Sequence, residues 1–186
     1  MAQSPFHGKR IGITGARGAL GAALARCFRS AGAHVIGFTH GSTPPEQGDG
    51  PHRWVSWSCG AEASLDEDLA EIDVLILNHG INPQACQSPD VINQALEINT
   101  LSSWRLMQRF EAISRASPQG GPKEVWVNTS EAEIQPAVSP VYELTKRMLG
   151  QLVSIRGAVL DASGREALIL RKLVLGPFRS SLNPIG

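Results

Sequence analysis

The chain has 186 residues, and its 17 Lys plus Arg balance 17 Asp plus Glu, so no net field recruits nucleic acid or an anionic membrane surface. The length buries a proper core in one domain. No apolar run approaches the ~18 residues of a membrane span, and MAQSPFHGKR lacks the apolar core of a signal peptide.

The elements alternate along the chain. RIGIT (10–14) predicts a short buried strand. GALGAALARCFRSAG predicts a helix with Leu20, Ala23, Leu24, Cys27, Phe28 and Ala31 on one face, ended by Gly32. AHVIGFTH (33–40) is the second strand, followed by a loop rich in Gly and Pro. RWVSWS (53–58) is the third, with Trp54 and Trp57 on opposite faces as packing residues. A short helix over about 62–70 leads to the apolar fourth strand DVLILN (73–78). A long helical region over 88–115, a fifth strand EVWVNT (124–129), a helix over 139–162 and a sixth strand ALILRKLV (167–174) complete the pattern. Strands alternating with helices predict parallel units with right-handed crossovers, in an α/β doubly wound sheet. Any ligand site is then expected at the carboxyl ends of the strands.

The first strand runs into TGARGALG (14–21) and opens a helix. Gly15 serves a tight turn, Gly18 lets backbone approach a pyrophosphate, and Gly21 lets the helix pack close to the sheet. Ala19 and Leu20 complete the loop. The pattern predicts dinucleotide binding; the alternative is a plain strand-to-helix turn. An NAD site usually places a carboxylate at the end of the second strand. Here that stretch is Gly37, Phe38, Thr39, His40, Gly41, Ser42, with no carboxylate. Arg17 in the loop can reach a 2′-phosphate, with Thr39, His40 and Ser42 as further hydrogen-bonding groups. NADP(H) is therefore expected over NAD(H), the alternative for Arg17 being a solvated surface cation.

VYELTK (141–146) holds Tyr142, the only tyrosine, one helical turn before Lys146. The pair is either an exposed helical contact or a proton donor tuned by an ammonium. A free tyrosine keeps its proton at neutral pH, with a pKa about 10. A nearby ammonium is expected to lower that value, and the two positions share a helix face.

These residues together resemble the short-chain dehydrogenase/reductase family over nearly the whole chain. TGARGALG matches its cofactor loop. LNHG (77–80) matches its NNAG segment at Asn78 and Gly80, with His79 between them, either against the cofactor or in a local structural role. EINT (97–100) places Asn99 at the family's helical asparagine. VNTS (127–130) ends the fifth strand at the family's serine, YELTK matches YxxxK, and LGPFRS (175–180) resembles PGPVxT, with Leu175 for proline and Ser180 for threonine. The resemblance implies a six-stranded, mainly parallel sheet of order 3-2-1-4-5-6 with helices on both faces. It implies Tyr142 as acid/base, Lys146 as its tuner and ribose clamp, Asn99 as anchor of a relay water, and Ser130 as substrate-oxygen donor. Gly176, Pro177 and Ser180 join the cofactor residues. The reaction implied is NADP(H)-dependent exchange of a small-molecule carbonyl and alcohol. The alternative is an NADP(H)-binding module without turnover.

The chain also departs from that pattern. Counting back from Tyr142 gives Ser130 the serine position, whereas counting forward from Asn128 gives it to Glu131. The glycine spacing resembles the extended branch of the family. Ser58, Cys59 and Gly60 stand where an aspartate often lies near adenine, and the chain ends at NPIG (183–186), so the substrate segment is expected to be shortened or missing. The histidines lack metal-ligand spacing and no metal is expected. Cys27, Cys59 and Cys86 form no CxxC, so neither disulfides nor zinc are expected and a reducing cytoplasm is the default. Leu101, Trp104, Leu149 and Leu152 on the two long helices suggest a homodimer or tetramer, the alternative being packing on the sheet.

Overall fold

A computed structural model of the chain describes residues 3–41, 48–116, 121–163, 168–180 and 182–183. Six strands form one sheet: β1 (Arg10–Thr14), β2 (His34–Thr39), β3 (Arg53–Ser56), β4 (Val74–Leu77), β5 (Lys123–Ser130) and β6 (Leu168–Leu175). Their order is β3-β2-β1-β4-β5-β6, and every neighbouring pair is parallel. The expected order is thus found, with all strands parallel. The helices are α1 (Ala19–Ser30), α2 (Asp66–Glu71), α3 (Pro89–Leu96), α4 (Ser102–Ala116) and α5 (Pro140–Ser163).

The period-two pattern of the strands divides the core into two layers. Leu75 and Leu77 of β4, with Val125 and Val127 of β5, face a cluster completed by Leu106, Met107 and Phe110 of α4 and Leu149, Val153 and Leu160 of α5. Val74 and Ile76 face the opposite cluster, with Ile11 and Ile13 of β1 and Ala25 and Phe28 of α1. Continuous apolar strands are what a sheet covered on both faces requires. Trp57 joins the first cluster and Trp54 packs on the second, so the tryptophans do face opposite sides. Trp57 lies just past β3, which ends at Ser56, two residues short of the expected boundary.

The long helical region over 88–115 is interrupted. Between α3 and α4 the turn Glu97–Leu101 widens into a π-helix. Such single-turn bulges re-aim side chains and are frequent at functional sites. This one carries Asn99, fully buried, into the polar interior. An ion cluster ties α4 to the segment after β3: Arg105 donates to Glu62 at 2.7 Å and pairs with Glu97. Burial alone would raise the Glu62 carboxyl, but its bonds from Arg105 and the Gly60 N–H outweigh that and bring it to about 2.

Of the four apolar residues expected to mediate self-association, Leu149 is buried in the core, whereas Leu101 is exposed. No helix among the described residues is long and apolar enough to cross a membrane, and no group of three His, Cys, Asp or Glu among them could hold a metal ion.

Candidate active site

A cleft of about 380 Å³ opens at the carboxyl end of the sheet, where β1 and β4 hand over to their loops. The glycine loop forms one wall. Gly15 has φ of +63°, and a Cβ there would lie 2.9 Å from the Cα of His79. Glycine is required on both counts, because the loop must turn sharply while touching the backbone after β4. A Cβ at Gly21 would overlap the Gly15 backbone, so only glycine lets α1 start this close to the turn. Gly18 is the N-cap of α1 and offers no side chain to its first-turn N–H groups. Those donors and the positive helix end are a fitting cradle for a dinucleotide phosphate.

Thr14 joins the two loops. Its hydroxyl donates to the Ile76 carbonyl at 3.3 Å, accepts from the Asn78 N–H at 2.8 Å, and lies 2.8 Å from His79 Nδ1. His79 is buried, and its ring meets Trp57 edge-on with centroids 5.3 Å apart. Burial, then the neighbouring His40 and Lys146, push its pKa down to about 3, so the imidazole is neutral at physiological pH. These contacts give His79 a structural role, although it also lines the cleft.

A cluster of buried polar side chains meets just beyond Gly80. A Cβ at Gly80 would lie 3.1 Å from Asn99 Oδ1 and 3.9 Å from Lys146 Nζ, so both polar groups reach the backbone beside the cleft. Asn99 accepts from the Ile81 N–H at 2.7 Å, and donates to the Ile81 carbonyl at 2.9 Å and to Thr145 Oγ1 at 3.0 Å. It therefore pins the loop after β4 to α5. Lys146 is 6% exposed, and its Nζ donates to the Asn128 carbonyl over a long 3.4 Å. Burial pulls its pKa down to about 8, against the attraction of Glu133.

Ser130 ends β5 and its side chain hydrogen-bonds Tyr142, whereas Glu131 opens the short turn beyond it. The expected lowering of the tyrosine pKa by Lys146 is not found. Burial of the phenol raises it, and the Ser130 bond only partly opposes this. The reason is geometric. Lys146 Nζ lies over the ring, 5.7 Å from its centroid, and its own charge is weakened by burial.

The NAD dependent epimerase/dehydratase family matches residues 11–156. The chain belongs to that family. It lies within the short-chain dehydrogenase/reductase superfamily, whose Rossmann-type sheet it shares. A curated relative, monoglucosyldiacylglycerol epimerase of Synechocystis, is 44% identical over 185 residues, covering 97% of this chain. The chain spans only 44% of that relative's length. Solved short-chain dehydrogenases share the fold. One from Leptospira borgpetersenii, with NAD+ bound, has 17% identity and a TM-score of 0.80, over 96% of this chain and 74% of its own. One from Burkholderia cenocepacia, in complex with NADP, has 17% identity and a TM-score of 0.78, over 95% of this chain and 76% of its own.

The lining of the cleft gathers nine of the residues expected to hold the cofactor. Gly15, Gly18, Ala19, Leu20, His40, Asn78, His79, Gly80 and Ser180 all line it. Cys59, Ile81, Ile98, Phe178 and Leu182 line it too and were not expected. Ile98 comes from the π-turn and the others from loops, for which apolar periodicity gives no signal. Arg17 is exposed on the glycine loop, without a hydrogen bond or ion pair among the described residues. Thr39 does not join the lining: it is buried, and its hydroxyl donates to the His40 carbonyl at 3.4 Å. Gly176 and Pro177 are exposed beyond β6 and also stand outside the lining. Ser42 lies outside the described residues.

Proposed function

We propose that this chain binds a nicotinamide dinucleotide, NADP(H) in preference to NAD(H), and interconverts an alcohol and a carbonyl on the sugar of a glycosyl lipid. The observation that carries the reading is the convergence of Ser130, Tyr142, Lys146 and Asn99 beside the loop that joins the dinucleotide cleft. When bound, the cofactor supplies the hydride chemistry.

The chain's residues handle the proton. Tyr142, with its pKa raised by burial, holds its proton at neutral pH and can donate it to a carbonyl oxygen as that oxygen gains negative charge. In the reverse direction the phenolate must take the alcohol proton. Ser130 fixes the phenol and can donate to the same oxygen. Lys146 stays largely an ammonium below its pKa of about 8 and holds positive charge at this end of the cleft. Asn99 keeps the Gly80–Ile81 backbone and α5 in register. Epimerisation needs only that the alcohol be oxidised and the carbonyl then reduced on its other face, with no net change in the cofactor.

The substrate class is supported by the 44% identical epimerase and by the rim of the cleft. Ser139 donates to the Gln84 carbonyl at 2.8 Å, and Gln84 donates to the Leu182 carbonyl at 3.0 Å. Three loops are thereby joined at the rim. They expose Ile134, Val138, Phe178 and Leu182, apolar side chains suited to a lipid tail. The preference for NADP(H) rests on the exposed Arg17 and on His40, which lines the cleft at the end of β2. Leu144, Met148, Ile155 and Val159 leave an exposed apolar stripe on α5 that supports pairing of two copies.

Turnover of a monoglucosyl diacylglycerol dispersed in detergent tests the reading. Tyr142→Phe is expected to lower it by about 10²–10⁴ while NADPH still binds. Turnover indifferent to that substitution removes the mechanism and leaves a binding module.

A further inference from the structure

We propose that Glu133 is a positioning residue for Ser130 and Tyr142: its buried carboxylate pins the short turn after β5 against α5 and so fixes the serine hydroxyl beside the phenol. The proposal rests on the reading of Ser130 and Tyr142 as part of the proton-handling group.

Ser130 and Tyr142 stand on different elements, the end of β5 and the first turn of α5. Pairing with Leu175 holds the Ser130 backbone to β6, but that leaves its placement against α5 to other contacts. Between the two residues runs the 3-10 turn Glu131–Glu133, which Ser130 caps: its Oγ accepts from the Ala132 N–H at 3.2 Å. With a lone pair engaged there, the hydroxyl proton is left to donate, and the Tyr142 oxygen is its partner. The serine hydroxyl is therefore aimed by where the turn lies.

The last residue of the turn places it. The Glu133 side chain is 7% exposed. Oε1 accepts from Lys172 Nζ of β6 at 2.8 Å, and the same ammonium donates to Ser154 Oγ on α5 at 3.0 Å. Ser154 in turn donates to the Gly150 carbonyl at 2.9 Å. The carboxylate also sits against α5 itself, where a Cβ at Gly150 would overlap it. Glycine weakens a helix interior relative to alanine, and here its missing side chain makes the notch that Glu133 fills. Oε2 has no hydrogen-bond partner among the described residues, so it contributes by shape, and the ion pair with Lys172 compensates the buried charge. One carboxylate thus ties the end of β5 to α5 and β6, three residues beyond Ser130. The far half of the loop is tied separately at the start of α5, where Glu143 accepts from the Ala137 N–H at 2.7 Å.

Tyr142 is the only tyrosine, so tyrosine labelled at Cζ gives a single NMR signal that reads the phenol's hydrogen bond. Ser130→Ala sets the position without that bond. Glu133→Ala should move the wild-type signal most of the way to it, and should add nothing in the Ser130→Ala background. Glu133→Gln fills the same notch and still accepts from Lys172, so its signal should stay close to wild type. Gly150→Ala, a change that favours helix, displaces the carboxylate and should shift the signal as Glu133→Ala does. A signal unmoved by Ser130→Ala, or a wild-type position in both Glu133→Ala and Gly150→Ala, overturns the proposal. So does an equal shift from Glu133→Ala in the Ser130→Ala background, which would mark a general loosening of α5. The measurement needs neither cofactor nor substrate, so its failure is separate from any failure of turnover.

Discussion

The two ends of the candidate site are built differently. The glycine-loop end is made from backbone, with Gly15 and Gly18 forming the turn and Arg17 exposed beside it. The polar end, beside the cleft, is made from buried side chains: Asn99, Thr145 and Lys146 are each 6% exposed or less. Backbone donors are fixed in number and cannot titrate, so the first end has its binding properties set by shape. Buried side chains have their protonation set by desolvation, so the second end costs stability to maintain. The cofactor grip and proton relay of the proposed function would make opposite demands on the same sheet edge, and the fold has separate materials for them.

Acid should expose the difference most strongly. The folded pKa of His79 is depressed to about 3 from an ordinary 6.5, so the unfolded chain takes up the proton first. Stability should be lost as pH falls from 6.5 toward 3, by up to about 5 kcal/mol. Urea denaturation across that range should show it, and His79→Gln should flatten the acid limb. A wild-type limb as flat as the variant's would deny that burial of this imidazole carries the effect.

Lys146→Met sharpens the same point at the alkaline side. Because the folded pKa is about 8 against 10.5, burial disfavours the ammonium, and below pH 8 the residue costs about 3 kcal/mol. That cost should fade as pH rises from about 8 to 10.5. The variant should therefore be more stable than wild type at pH 7, by denaturant unfolding, and should lose turnover. A variant both less stable and inactive would mean that the lysine's contacts outweigh its desolvation.

The smallest effect belongs to the backbone-built end. Arg17→Ala should weaken NADPH by about tenfold and leave NADH nearly unchanged, since only the 2′-phosphate offers a charge partner. Isothermal titration of both cofactors reads this directly, and an equal loss for the two would remove Arg17 as the discriminating group.

Much of this was legible from residue order. The apolar strands, the TGARGALG loop and YELTK fell where periodicity and spacing place them, because the alternation of a buried parallel sheet is written into every strand. Three features were not legible. The π-turn at Glu97–Leu101 has no local signature and is defined by what Asn99 must reach. The placement of Ser130 against Tyr142, with Glu131 in the turn beyond, needed the geometry at the end of β5, since counting along the chain leaves one residue of slip. The direction of the Tyr142 shift was misjudged because helical spacing reports proximity to Lys146 and says nothing about burial.

The central claim is that this cleft is shaped for a nicotinamide dinucleotide with a 2′-phosphate. Parallel fluorescence titrations of the purified chain with NADPH and NADH test it most directly. Saturable binding of both, tighter for NADPH, is the predicted result; binding of neither would contradict the account.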